Sequence, residues 1–253
     1  MKVVKKVLFF VLLYGVFMLA YLPASVAISW VSLPKNLTLS GISGSIWSGK
    51  INQLSIDGRQ LDDLRWQMTP LQLLSGKVAA HIQVGSRATL VNAKANVAYG
   101  MSGLALSDVR FEAPVAWLIG NSRLPFRTKA QGEVTVLLTD FTQGAPWCSQ
   151  LDGKAFASGL QVDNQFGQYP LGQLQLAMSC TDGQVMVNID ETTNGLGLSG
   201  SATVGEQMQV ALTAKIRETN TMPDDLKKAL TFLGQPDSQG YYPLKFNGRV
   251  PGL

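Results

Sequence analysis

Past Pro34 the chain alternates apolar and polar residues with a period of two, the mark of strands that bury one face. Val78, Ala80, Ile82 and Val84 share one side of a strand, with Lys77, His81 and Gln83 opposite. Val91, Ala93, Ala95, Val97 and Tyr99 repeat the pattern against Asn92, Lys94 and Asn96. Met208, Val210, Leu212, Ala214 and Ile216 do so again, and Leu174, Leu176, Met178 and Cys180 share a face that points Cys180 inward. Between such runs stand Asp57-Gly58, Asp152-Gly153, Asp182-Gly183, Asn194-Gly195 and Asn247-Gly248. These dipeptides supply the positive φ angles of tight hairpin turns. The pattern predicts an antiparallel sheet whose strands pair in chain order.

Helical signals are few. Pro70–Ser75 predicts one turn, with proline first and Gly76 closing it. Pro114–Asn121 is a second short candidate. Pro223–Leu233 is the clearest, with Asp224 and Asp225 in the first turn, a stripe of Leu226, Ala229, Leu230 and Leu233, and Gly234 after the end. So many amphipathic strands with so few helices leave an apolar face that something must bury. The sheet either folds on itself as a sandwich or barrel, or curls into a trough. Gly41, Gly44 and Gly49 suit bends in it, and Trp47 and Trp66 are expected to anchor the core of its first segment.

The N-terminus follows another rule. Lys2, Lys5 and Lys6 precede a run from Val7 to Val31 without a charged residue. That run is long enough for a transmembrane helix if the helix continues past Pro23, because a span needs roughly 20 residues. The lysines then place the N-terminus in the cytoplasm, with Tyr21 and Trp30 at the interfaces. A cleaved signal peptide is the competing reading, with Pro23 breaking the helix and Ser25-Val26-Ala27 as the cleavage site. Both readings export everything after Pro34. The organisation expected is a basic tail (1–6), an anchor (7–31) and a periplasmic β-rich domain (35–253), with 120–131 a candidate division between two halves.

Charge changes the picture little. The formal net charge is +4, and the three topogenic lysines account for most of it. The exported part is therefore close to neutral, without the clustered Lys/Arg of a nucleic-acid-binding face. Cys148 and Cys180 are the two cysteines, and an even count in an oxidising compartment favours one disulfide. His81 is the single histidine and sits on a polar strand face. The sequence holds no Cys-x-x-Cys, phosphate-binding loop or nucleophile elbow. Asp62-Asp63 and Asp224-Asp225 read as structural pairs, and Asn36-Leu37-Thr38 reads as a loop entering the first strand. No catalytic, metal or cofactor site is expected.

The order of features resembles the type II secretion system protein N family of Gram-negative bacteria. The match is carried by the single N-terminal anchor with its basic tail, Leu39–Gly49, Leu54–Asp57, and Leu61–Pro70 running into Leu71–Gly76. It continues through Leu124-Pro125, Trp147-Cys148, Leu151-Asp152-Gly153, Leu171–Leu174 leading to Cys180, and Gly240–Gly248. The resemblance implies a single-pass inner-membrane protein with a periplasmic domain, an accessory and non-enzymatic subunit of the machine that exports folded proteins through an outer-membrane secretin. Its implied partners are other inner-membrane subunits or the periplasmic region of the secretin. Short glycine-tryptophan strand starts also occur in AsmA-like periplasmic proteins. A lipid-binding or lipid-guiding module is accordingly the alternative, with lipid on the apolar face.

Overall fold

The computed structural model describes residues 2–30, 33–34, 36–86, 88–120, 127–165, 167–206, 209–220 and 222–249. Two helices lead in, α1 (Lys2–Ala20) and α2 (Ala24–Ser29). Thirteen strands follow among the described residues: β1 (Leu37–Gly44), β2 (Ser48–Ile56), β3 (Arg59–Met68), β4 (Val78–Val84), β5 (Asn92–Gly100), β6 (Gly103–Pro114) and β7 (Lys129–Gln143). The series continues with β8 (Cys148–Asn164), β9 (Gly167–Thr181), β10 (Gln184–Ile189), β11 (Leu198–Val204), β12 (Gln209–Arg217) and β13 (Tyr241–Arg249). They form one antiparallel sheet in strict chain order. Short helices interrupt it at Pro70–Ser75, at α3 (Val115–Ile119) and at α4 (Asp224–Leu230). β6, which ends before 120–131, and β7, which begins within it, pair with each other.

The predicted helices form for the expected reasons. Proline opens the 3-10 helix at Pro70, and Gly76 closes it with φ 73°. α4 begins after Pro223 with Asp224 and Asp225 in its first turn, and Lys227 and Lys228 in its last. Its buried Leu226 and Leu230 meet Leu196, Ile216, Met222 and Tyr242 in the main cluster of buried residues.

The structure corrects four expectations. The 7–31 anchor is not one helix. α1 stops at Ala20, and Pro23, at φ −65° and ψ 139°, starts α2 instead of continuing the first helix. The uncharged part of α1, residues 7–20, is about 21 Å long against roughly 30 Å of hydrocarbon. Among the described residues no helix is long and apolar enough to cross a membrane. Val31 lies outside the described residues, as do Met208, Asn121 and Leu124-Pro125.

Asp152-Gly153 and Asn247-Gly248 are not turns. They lie inside β8 and β13, where Gly153 pairs with Leu138 and Met178, and Gly248 with Val210. A Cβ on Gly153 would stand 2.5 Å from Leu138 Cδ2, so the missing side chain makes room for its larger neighbour. Trp47 and Trp66 are half-buried rather than core residues, fixed at the sheet's end through their indole N–H groups. Asp57-Gly58 and Asp182-Gly183 do turn, with both residues of each pair at positive φ.

Candidate functional site

Register places the apolar residues of successive strands side by side. One row runs Val84, Ala93, Phe111, Val136, Ala155, Leu176, Ile189, Gly200, Ala214 and Leu244, from β4 to β13. A second runs Met68, Ala80, Val97, Leu106, Phe141 and Leu151, from β3 to β8. The opposite face is polar, as in the row Gln67, His81, Asn96, Ser107, Asp140, Asp152 and Ser179. One face is thus continuously apolar across the sheet. Only some of its residues, such as Val84, Leu151, Ala155 and Ala214, are buried, and most of the others are half-buried.

The apolar face is concave. Open twisted sheets of more than about ten strands curl. Here the curl brings Trp117 of α3, beside Phe111 on the apolar face, to the carbonyl of Gln60 in β3 at 3.2 Å, with Arg59 stacked over the indole. α4 likewise lies across the apolar side, against Leu174 of β9 and Leu244 of β13. Both helices follow even-numbered strands, β6 and β12, so both sit at the same end of the sheet. That end of the trough is therefore covered by α3 and α4, while at the end where α1 arrives the β7–β8 turn reaches across to the β11–β12 connection through Trp147 Nε1 and Gly205.

At the α1 end the joint is built from backbone and indole contacts. Trp47 Nε1 donates to the carbonyl of Leu19 at 2.9 Å, and Ile46 N–H donates to the carbonyl of Leu22 at 3.1 Å. Pro23 bridges Ser45 beside β1, and Trp66 Nε1 donates to the carbonyl of Ile46 at 3.0 Å. Residues 7–20 of α1 are uncharged on every side: Leu8, Phe9, Phe10, Val11, Leu12 and Phe17 are each more than half exposed.

The two edge strands are unequal. At β13, Asp237 receives the N–H groups of Tyr241 and Gln239 on its carboxylate, and its own N–H donates to the Tyr241 carbonyl. Those donors, Tyr241 first, hold the Asp237 carboxyl below the usual carboxylate range. Pro243 removes another donor from this edge. Tyr241 Oη donates to Glu191 at 2.9 Å, which raises the phenol pKa, and Arg217 pairs with the same carboxylate. Lys215 Nζ stands 3.9 Å from the Tyr241 ring. At β1 the edge is flanked by Leu22-Pro23 and α2 at one end, while at the other Leu37 N–H donates to Pro34.

Cys148 and Cys180 are bonded to each other, with Cα atoms 6.1 Å apart. The bond fastens the β7–β8 turn over the β9–β10 hairpin, where Trp147 N–H and Cys148 N–H both donate to Gly183. Trp147 Nε1 reaches on to Gly205 at 2.7 Å. His81 is exposed and hydrogen-bonded through Nδ1 to Asn96 Oδ1 at 2.9 Å. Asp63 pairs with Arg65, whose hydrogen bonds hold its carboxyl low, and Asn36 donates to Asp57. Among the described residues no three His, Cys, Asp or Glu side chains are grouped to hold a metal ion. The site is a surface of contact: an apolar trough, a helix-bearing end and two managed edges. Sequence reasoning found the apolar alternation but missed Trp117 and Trp147, whose partners lie 57 and 58 residues away.

Comparison with known proteins gives a consistent result. The family model described as type II secretion system (T2SS), protein N, matches residues 35–245. A type II secretion system protein N from Aeromonas hydrophila is 32% identical over 98% of this chain and 99% of its own. One from Vibrio cholerae serotype O1 is 30% identical, covering 91% of this chain and 92% of its own. One from Pectobacterium carotovorum is 25% identical, covering 95% and 94%. No solved structure is significantly similar to the chain.

Proposed function

The chain belongs to the type II secretion system protein N family, and from that membership we propose that it is an accessory, non-enzymatic subunit of the type II secretion machine. In this reading it is held at the inner membrane by its N-terminal segment, keeps its sheet in the periplasm, and contributes to export of folded proteins across the outer membrane. The end-to-end match to protein N chains carries the proposal.

Three physical features support the placement. A helix apolar all round is stable only inside an apolar environment, and residues 7–20 of α1 form such a stretch. Its apolar run ends short of a full span, and Leu22 with the uncharged α2 extends it beyond the break at Pro23. Lys2, Lys5 and Lys6 at its start favour a cytoplasmic N-terminus. The Cys148–Cys180 bond suits an oxidising compartment. The partners are other inner-membrane subunits or the periplasmic part of the secretin.

Capture of the full-length protein from native membranes after in-cell crosslinking tests the role. Secretion subunits in the eluate, with export reduced in a deletion strain, are the expected outcome. A protein that is captured alone, and whose removal leaves export intact, sinks the reading. The half-buried apolar rows favour one further use, acyl-chain binding in the trough, which lipid mass spectrometry of the same eluate addresses.

A further inference from the structure

The end of the sheet that receives α1 carries a second apolar surface. In the 3-10 helix between β3 and β4, Leu71 and Leu74 are 76% and 88% exposed. In the neighbouring β5–β6 turn, Tyr99 and Met101 are 61% and 104% exposed. The two connections are contiguous: a Cβ on Gly100 would stand 3.1 Å from Lys77 Cγ and 3.5 Å from the Gly76 carbonyl. They are also tied to the helix joint. Met68, just before this 3-10 helix, donates its N–H to the Trp47 carbonyl at 2.7 Å, and the Trp47 indole holds Leu19 of α1.

Charge on the part of this end nearest α1 is one-sided. The three hairpin connections nearest α1, residues 44–50, 68–78 and 99–104, contain Lys50 and Lys77 and no acidic residue. Asp182 and Glu206 appear only in the connections farther along the sheet. An exposed leucine–methionine–tyrosine patch with lysines beside it and no carboxylate fits the interfacial zone of an anionic bilayer.

We propose that this end of the sheet rests on the membrane surface, with Leu71, Leu74, Tyr99 and Met101 in the lipid interface beside α1. The docking rests on membrane insertion of α1 and extends it: the sheet stands on the bilayer with its α1 end down, instead of swinging from a tether.

The test uses the full chain with its disulfide intact, so that an introduced cysteine is the single reactive thiol. Leu12→Cys in α1, Leu74→Cys in the patch and Leu90→Cys at the opposite end are each labelled with an environment-sensitive nitrobenzoxadiazole dye. Leu90 is 77% exposed and makes a matched apolar reference. The proteins are reconstituted in phosphatidylethanolamine–phosphatidylglycerol vesicles with and without spin-labelled lipid. Quenching at Leu12 and Leu74 several-fold above that at Leu90 is the expected result, abolished at position 74 by Leu71→Ser with Met101→Ser. Quenching at Leu12 with Leu74 no different from Leu90 overturns the docking and leaves the anchor standing. Absence of quenching at both Leu12 and Leu74 overturns both. Equal quenching at all three positions means that the sheet lies on its side, and also overturns the proposal.

Discussion

At the scale of single residues, the sheet depends on positions where a side chain is missing or a carboxylate is held. Gly153 is the sharpest case. Adding a methyl there meets Leu138 Cδ2 at 2.5 Å and the Leu137 carbonyl at 2.8 Å, and nears Met178 Cε at 3.3 Å. Gly153→Ala therefore overpacks the apolar face and is expected to cost about 1–3 kcal/mol, read as a lower urea midpoint with unchanged slope. Asp237 supplies a pH dependence. Its folded carboxyl is held low by the N–H groups of Tyr241 and Gln239, so its contribution is complete above the free carboxylate value of about 4 and is lost as pH falls through and below it. Asp63, held low by Arg65, follows the same sign. Melting temperature measured from pH 7 down to pH 3 should fall, and Asp237→Asn should flatten that fall. An identical acid limb in the variant refutes the role of this cap.

At the scale of elements, the disulfide joins a turn to a hairpin. It closes a loop 32 residues apart in sequence, for which the chain-entropy relation gives about 3–4 kcal/mol. Cys148→Ser and Cys180→Ser should each lower the denaturation midpoint by that order, and the double variant no further than either alone. Additive losses in the double variant indicate that the thiols act separately. The same elements show what a sequence can reveal. Strands β4, β5, β9 and β12 were legible because alternation is a local signal, and the helices at Pro70 and Pro223 because proline, acid and glycine mark their ends. Asp152-Gly153 misleads because a glycine that yields space to Leu138 looks, in one dimension, like a glycine that turns the chain. Trp47 reads as core because its size suggests burial, whereas its indole is used to hold Leu19 across 28 residues. The break at Pro23 was legible because proline is a local helix breaker, whereas the bridge from Pro23 to Ser45 is a contact that no local pattern encodes.

At the scale of the whole molecule, the meander has a physical consequence. With every strand paired to its sequence neighbour, the register sets continuous rows of apolar side chains on one surface, and curling turns that surface inward. α3 and α4 plug one end, and α1 with the Leu71–Leu74 patch occupies the other. In the membrane placement proposed above, the trough's α1 end faces the bilayer, which would let an acyl chain reach the sheet from the lipid. The lining then decides whether lipid is held. Val187 and Asn188 are adjacent on β10 and point to opposite faces, Val187 toward Met178 and Ala202 on the apolar side and Asn188 toward solvent. Val187→Glu places a charge in the trough, while Asn188→Glu places the same charge outside. Lipid co-purifying with the full-length protein should drop several-fold in the first and stay unchanged in the second, with circular dichroism confirming that both sheets are formed. Equal lipid in the two variants means that lipid binds only around α1. The trough is then a packed scaffold whose exposed edges and ends serve protein partners alone.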